Sequence, residues 1–145
     1  MNTHDAPPSP AALLQRAFVL ISFARFQEAI ACCDEAEPLA ADPLFVRALK
    51  GSILTASGRP LQAMRLLLPQ HRTRPDHIPT TLHLAEACFL AGRPRRGWKI
   101  LDSLPPEVDS GPFGSLAQAL RDTWELLDGD DPVPAPLVVP ELTAP

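Results

Sequence analysis

Histidines recur at intervals of six at His71, His77 and His83, and regularly spaced imidazoles are a first place to look for a metal centre or for proton transfer. Pro75 and Pro79 interrupt the run, and no cysteine or carboxylate cluster beside it completes a tetrahedral ligand set. The three therefore read as loop histidines. Three cysteines, Cys32, Cys33 and Cys88, form no CxxC pair and no disulfide framework, which fits a reducing compartment. Cys33 and Cys88 fall at apolar positions and read as small core residues, leaving Cys32 as the thiol that could face solvent. Asp130 and Asp131 stand among prolines, with no glycine-rich phosphate loop and no Ser-His-Asp arrangement elsewhere. The sequence is expected to encode no enzyme and to need neither metal nor cofactor.

Charge is the stronger signal. Residues 1–43 carry two basic side chains against six acidic, residues 44–99 ten against two, and residues 100–145 one against nine. Arg59, Arg93, Arg95, Arg96 and Lys99 make the middle of the chain a basic surface, joined by Arg72 and Arg74. A nucleic-acid surface would look like this. Against it, Trp98 is the one aromatic among these cations, and the chain as a whole has net charge −4. An acidic protein partner, or the chain's own acidic C-terminal end, is the favoured counterpart.

The elements that position these residues follow from a repeat. Sliding the sequence by 34 residues lays Gly58-Arg59-Pro60 on Gly92-Arg93-Pro94 and on Ala24-Arg25-Phe26. Small residues share columns in the same register: Ala17, Gly51, Ala85 and Ala119 before the corner, and Ala29, Ala63 and Gly97 after it. Each copy has an apolar segment at helical spacing on either side of the corner, so each is a helix hairpin. Gly58 and Gly92 supply the positive φ that ends a helix, while Pro60 and Pro94 suit the first turn of the next. One hairpin cannot bury its own apolar faces, so the copies should stack as a solenoid. Residues 115–129, apolar at Leu116, Ala119, Leu120, Trp124 and Leu127, should close its end. The expected organisation is a disordered segment over 1–9, hairpins over about 10–43, 44–77 and 78–111, a capping helix over 113–128, and a Pro-rich flexible tail over 129–145. Within that tail, the apolar residues 136–142 read as an unstructured end or as a docking strip.

A 34-residue helix-turn-helix period with small residues in the first helix and Gly before the corner resembles the tetratricopeptide repeat. The copy containing Phe26, Glu28, Ala29 and Ala36 is the nearest to that pattern. The resemblance spans residues 10–128; the first-helix Trp and Tyr of the pattern are missing, and Gly97 stands where it has Ala. It implies an all-α, right-handed solenoid of three hairpins whose concave groove is lined by first helices. By register the groove positions are Ala11, Leu14, Phe18, Ile21 and Ser22, then Phe45, Ala48, Ser52 and Thr55, then Leu82, Glu86 and Phe89. Leu14 and Phe18 occupy places where relatives that clamp a peptide carboxylate carry Lys, Arg or Asn, so that mode is excluded. An apolar groove suits an amphipathic helix or an apolar segment of another protein, with Phe18, Phe45 and Phe89 as anchors; Phe18 and Phe45 read equally well as core.

In size, acidity and apolar groove the chain is similar to the small tetratricopeptide chaperones of bacterial type III secretion. That likeness implies a cytoplasmic, non-catalytic module that holds an apolar segment of a secretion-system subunit through Leu14, Phe18, Ile21, Phe45, Ala48, Leu82, Glu86 and Phe89. A second reading is an assembly scaffold that bridges proteins through the basic second-helix surface; RNA binding is a third. A homodimer or a small heterocomplex is compatible with each. The apolar run 17–24 is too short to span a bilayer, and the first residues lack the basic start of a signal peptide.

Overall fold

The computed structural model describes residues 6–127. These residues are all-helical, with no strand among them: α1 Pro10–Ser22, α2 Phe26–Ala36, α3 Pro43–Ala56, α4 Pro60–Thr73, α5 Ile78–Leu90, α6 Pro94–Asp102 and α7 Gly114–Leu127. Short 3₁₀ segments at Glu37–Leu39 and Pro106–Ser110 lie before α3 and α7. The expected tail over 129–145 and the first five residues lie outside the described residues.

The 34-residue offset is repeated in backbone geometry. Helices α2, α4 and α6 begin at Phe26, Pro60 and Pro94. Each is preceded by a residue with positive φ: Ala24 at 57°, Gly58 at 86° and Gly92 at 76°. At each corner the following arginine closes the preceding helix with the same bond: Arg25 N–H donates to Leu20 O (2.8 Å), Arg59 N–H to Leu54 O (2.8 Å) and Arg93 N–H to Cys88 O (2.9 Å). Left-handed geometry is what lets that N–H reach back to an orphan carbonyl. Glycine adopts it without steric cost, and Ala24 adopts it against one.

Small residues let the two helices of a hairpin approach. A Cβ built on Gly51 of α3 would lie 2.5 Å from Leu67 Cδ1 of α4, and one on Gly97 of α6 would lie 2.8 Å from the Phe89 ring of α5. Ala17, Ala29, Ala63 and Ala85, in the matching columns, are fully buried.

Packing differs along the chain. α1 packs on α2, α3 on α4, and α5 on α6; α5 also lies against both α3 and α4. Its residues are accordingly buried almost all round, with Thr80, Thr81, Leu82, Leu84, Ala85, Ala87, Cys88 and Phe89 inside. The first hairpin sits otherwise: α2 lies on α3, whereas α1 has no comparable contact with α3. Among the described residues no helix packs on the outer side of α1. At the other end α7 packs on α5 and on the Pro106–Ser110 segment, and Arg121 joins it to Asp102 at the end of α6 (2.9 Å). α4 continues through Pro69, whose ring faces solvent, so the Arg65 carbonyl that loses its helical partner can be hydrated.

Candidate functional site

α1 begins at Pro10, with Ser9 capping it through a bond accepted from the Ala12 N–H (3.1 Å). Leu13 and Ala17 face the core. The far side carries Phe18, Val19 and, at the corner, Phe23, which are 50%, 56% and 73% exposed. Leu14, Ile21 and Phe26 are half-buried beside the core. Exposed single apolar residues are ordinary, but two phenylalanines and a valine within six positions of one uncovered helix form a patch.

The groove expected from the repeat register is only partly open. Phe18 is exposed, and Leu14, Ile21, Phe45 and Glu86 are half-buried. Ala48, Leu82 and Phe89 are not groove residues: they are 1%, 0% and 2% exposed. Their burial has a physical cause. α5 is enclosed by α3, α4, α6 and α7, so the side of it assigned to a partner is filled by the chain itself. The Phe89 ring stacks on Trp124 of α7 at 4.6 Å between centroids and meets Trp98 of α6 edge-on at 5.2 Å. Thr55, also placed in the groove, is buried and donates its hydroxyl to Gly51 O (3.0 Å), while Ser52 is half-buried and Ala11 and Ser22 are exposed.

The basic residues fall as the repeat places them, on the second helices and their corners. Arg93, Arg95, Arg96 and Lys99 are exposed along α6, and Arg65 and Arg72 along α4. The arginine column is not uniform. Arg25 pairs with Glu28, and Arg59 donates from Nε to Ser57 Oγ (3.2 Å). Arg93 has no side-chain partner among the described residues. Elsewhere Arg47 pairs with Glu37 (3.1 Å), Lys50 with Asp34 (2.8 Å) and Arg74 with Asp76 (3.0 Å).

Two of the three histidines expected in loops are helical: His71 lies in α4 and His83 in α5, while His77 caps α5. The apolar spacing of these helices continues past the prolines, which sit at compatible positions. His77 Nδ1 accepts from the Thr80 hydroxyl (2.8 Å) and backbone N–H (3.4 Å), so its proton is on Nε2, which donates to Asp42 Oδ2 (3.0 Å). Asp42 in turn caps α3 by accepting from Phe45 N–H (3.3 Å). Burial opposes ionisation of Asp42, but the bonds from His77 and Phe45 outweigh it and hold the carboxyl below its ordinary range. This link between two helix starts, 35 residues apart, was not visible in local spacing.

Cys32 is buried along with Cys33 and Cys88, which corrects its expected exposure. Burial pushes the thiols of Cys33 and Cys88 up to about 11, away from the thiolate form that reacts. Among the described residues no group of three or more His, Cys, Asp or Glu side chains is placed to hold a metal ion, and no helix is long and apolar enough to cross a membrane. An apolar cleft of about 330 Å³ lies between Ile78 at the start of α5 and Pro105, Val108, Pro112 and Phe113. No family model matches the sequence, and no curated protein or solved structure matches it.

Proposed function

We propose that the chain is a non-catalytic protein-binding module, a tetratricopeptide-like solenoid of three hairpins, which holds an apolar or amphipathic segment of another protein against the uncovered side of α1. The observation that carries this reading is the exposure of Phe18, Val19 and Phe23 on a helix that packs on α2 and has no other covering helix among the described residues. The three corners at a spacing of 34, each with positive φ and the same closing bond, support the solenoid. Residues 1–43 are predominantly acidic, so an amphipathic helix with basic flanks suits this end of the molecule. The contact set is Leu14, Phe18, Ile21 and Phe23, smaller than the groove read from register and confined to the first hairpin. The protein would act as a small cytoplasmic chaperone of the type III secretion kind, shielding its partner's apolar face until delivery.

A fluorescent 18-residue Leu/Lys amphipathic helix tests this by anisotropy. Phe18→Asp with Phe23→Asp removes two exposed rings without touching the core and should weaken binding by roughly tenfold or more. Unchanged binding by a folded double variant would sink the reading.

The exposed cations of α6, together with Arg59 at the start of α4, favour a second reading, a scaffold that bridges proteins through Arg59, Arg93, Arg95, Arg96 and Lys99. Under it, Arg93→Glu with Arg96→Glu abolishes assembly while Phe18→Asp leaves it intact.

A further inference from the structure

His77 shows how one first helix is joined to the next. Its ring links the starts of α3 and α5, accepting from the Thr80 hydroxyl at Nδ1 (2.8 Å) and donating from Nε2 to Asp42 Oδ2 (3.0 Å). One repeat further along the chain, Asp76 stands in the column of Asp42 and Gly111 in that of His77. Glycine has no ring to span the joint, and Asp76 pairs instead with Arg74 (3.0 Å). α7 packs on α5 more lightly than α5 packs on α3. The apolar cleft of about 330 Å³ opens at this joint, lined by Ile78 from α5 and by Gly111, Pro112 and Phe113 from the segment leading into α7.

Size, lining and charge define what the cleft takes. An apolar cavity of about 150 Å³ holds one benzene ring. At about 330 Å³ this one has room for an indole. Val108 at its base is buried, and Ile78 and Phe113 are half-buried, so a ring that enters meets apolar surface. Glu107 also lines the cleft, is exposed, and has no ion-pair partner among the described residues. Residues 100–120 contain Asp102, Glu107 and Asp109 and no Lys, Arg or His, so the surroundings favour a cation.

We propose that this cleft is a second recognition site, which takes a tryptophan side chain flanked by Lys or Arg from another protein. The indole fills the joint that Gly111 leaves open, as the His77 imidazole fills the joint one repeat earlier, and the flanking cation pairs with Glu107. This chain's own tryptophans are already engaged: Trp124 is buried against Phe89, and Trp98 meets the edge of the same ring. No residue of α1 lines the cleft, so the site is separate from the surface that carries Phe18 and Phe23.

The test uses the full-length protein and three peptide amides, acetyl-Lys-Trp-Lys, acetyl-Glu-Trp-Glu and acetyl-Lys-Ala-Lys. The first should produce saturable shifts in the amide signals of Ile78, Val108, Gly111 and Phe113. The second should bind about threefold more weakly at about 50 mM salt, and the third should produce no saturable shift. A Cβ at Gly111 meets only Glu107 O at 3.5 Å and Val108 O at 3.6 Å, and the φ of −95° suits any residue. Gly111→Leu should therefore weaken acetyl-Lys-Trp-Lys by about tenfold without lowering the melting temperature. Glu107→Gln, a change at an exposed side chain, should erase the preference for Lys over Glu flanks. Phe18→Asp with Phe23→Asp should leave this binding unchanged; its loss would place the peptide on α1 and overturn the proposal. Absent saturable shifts, full binding by Gly111→Leu, or a flank preference that survives Glu107→Gln overturns it as well. So does tryptamine that matches the peptide in affinity, because the ligand is then a free aromatic amine and no protein segment is needed.

Discussion

The Phe89 ring lies nearly parallel to Trp124, at 15° and 4.6 Å between centroids, while Trp98 meets its edge at 77°. One phenylalanine thus ties α5 to α6 and α7, and the two contacts use both favourable geometries of aromatic pairs. The ring occupies the space that a side chain at position 97 would need.

Gly97→Ala follows directly from that contact. Helix propensity alone would make the change favourable by close to 1 kcal/mol. The new Cβ would nonetheless lie 2.8 Å from the Phe89 ring, a flat group fixed between two tryptophans. Overpacking of this kind costs about 1–3 kcal/mol, so net destabilisation in urea unfolding is expected. Adding Phe89→Leu should make Gly97→Ala neutral or favourable, since the flexible leucine can move aside. A stabilising effect of Gly97→Ala on its own would show that the ring has room to shift.

Ala24 gives the opposite case. It holds a φ of 57° at a corner where its two counterparts are glycine. Ala24→Gly removes the steric strain while adding unfolded-state entropy, and a net gain of about 0.5–1 kcal/mol is expected. Gly58→Ala and Gly92→Ala should lose a similar amount. Denaturant midpoints of the three variants check the symmetry, and a destabilised Ala24→Gly would mean that the corner is held by other contacts.

Much of this architecture was legible because punctuation and periodicity act locally. The corner letters Gly-Arg-Pro, the small-residue columns and the apolar spacing located the hairpins, and α7 begins within a residue of its expected start. Legibility failed where burial depends on which helix lies next to which. Phe89 and Leu82 read as groove residues because register places first helices along a concave face, yet α5 is enclosed by four other helices. Phe23 was passed over because it stands at a corner outside the helical register, although the open side of α1 makes it the most exposed phenylalanine in the described residues. The Asp42–His77 link joins residues whose nearness is created by stacking two hairpins, and no spacing within one repeat announces it.

His71 should make stability fall with acid near neutrality. Its ring is half-buried in α4 beside the Thr81 hydroxyl (3.1 Å), and burial lowers its affinity for a proton below the ordinary value of 6.5. The unfolded chain therefore binds the proton more readily, and stability present above pH 6.5 is lost as pH drops through the lower folded value. Asp42 adds a second loss at more acidic pH, as its depressed carboxyl becomes protonated and the bonds from His77 and Phe45 weaken. Melting temperature measured from pH 8 to pH 3 should show both declines. His71→Gln should flatten the first and leave the second, and a wild-type profile level between pH 7 and 5 would remove His71 from the account.

The uncovered side of α1 has its own consequence for the isolated protein. Phe18, Val19 and Phe23 remain in water unless something covers them, and contiguous apolar surface drives association. α1 carries a single charged side chain, Arg16, so like-charge repulsion between two such helices is small. Sedimentation velocity should therefore show concentration-dependent self-association of the wild-type protein. Phe18→Ser with Phe23→Ser should return it to monomer without lowering its melting temperature, because neither ring lies in the core. Adding the Leu/Lys helix should dissociate the wild-type oligomer if both occupants use the same surface. An oligomer that resists the peptide and persists in the double variant would place self-association elsewhere, with the exposed Leu116 and Leu126 of α7 next to be replaced.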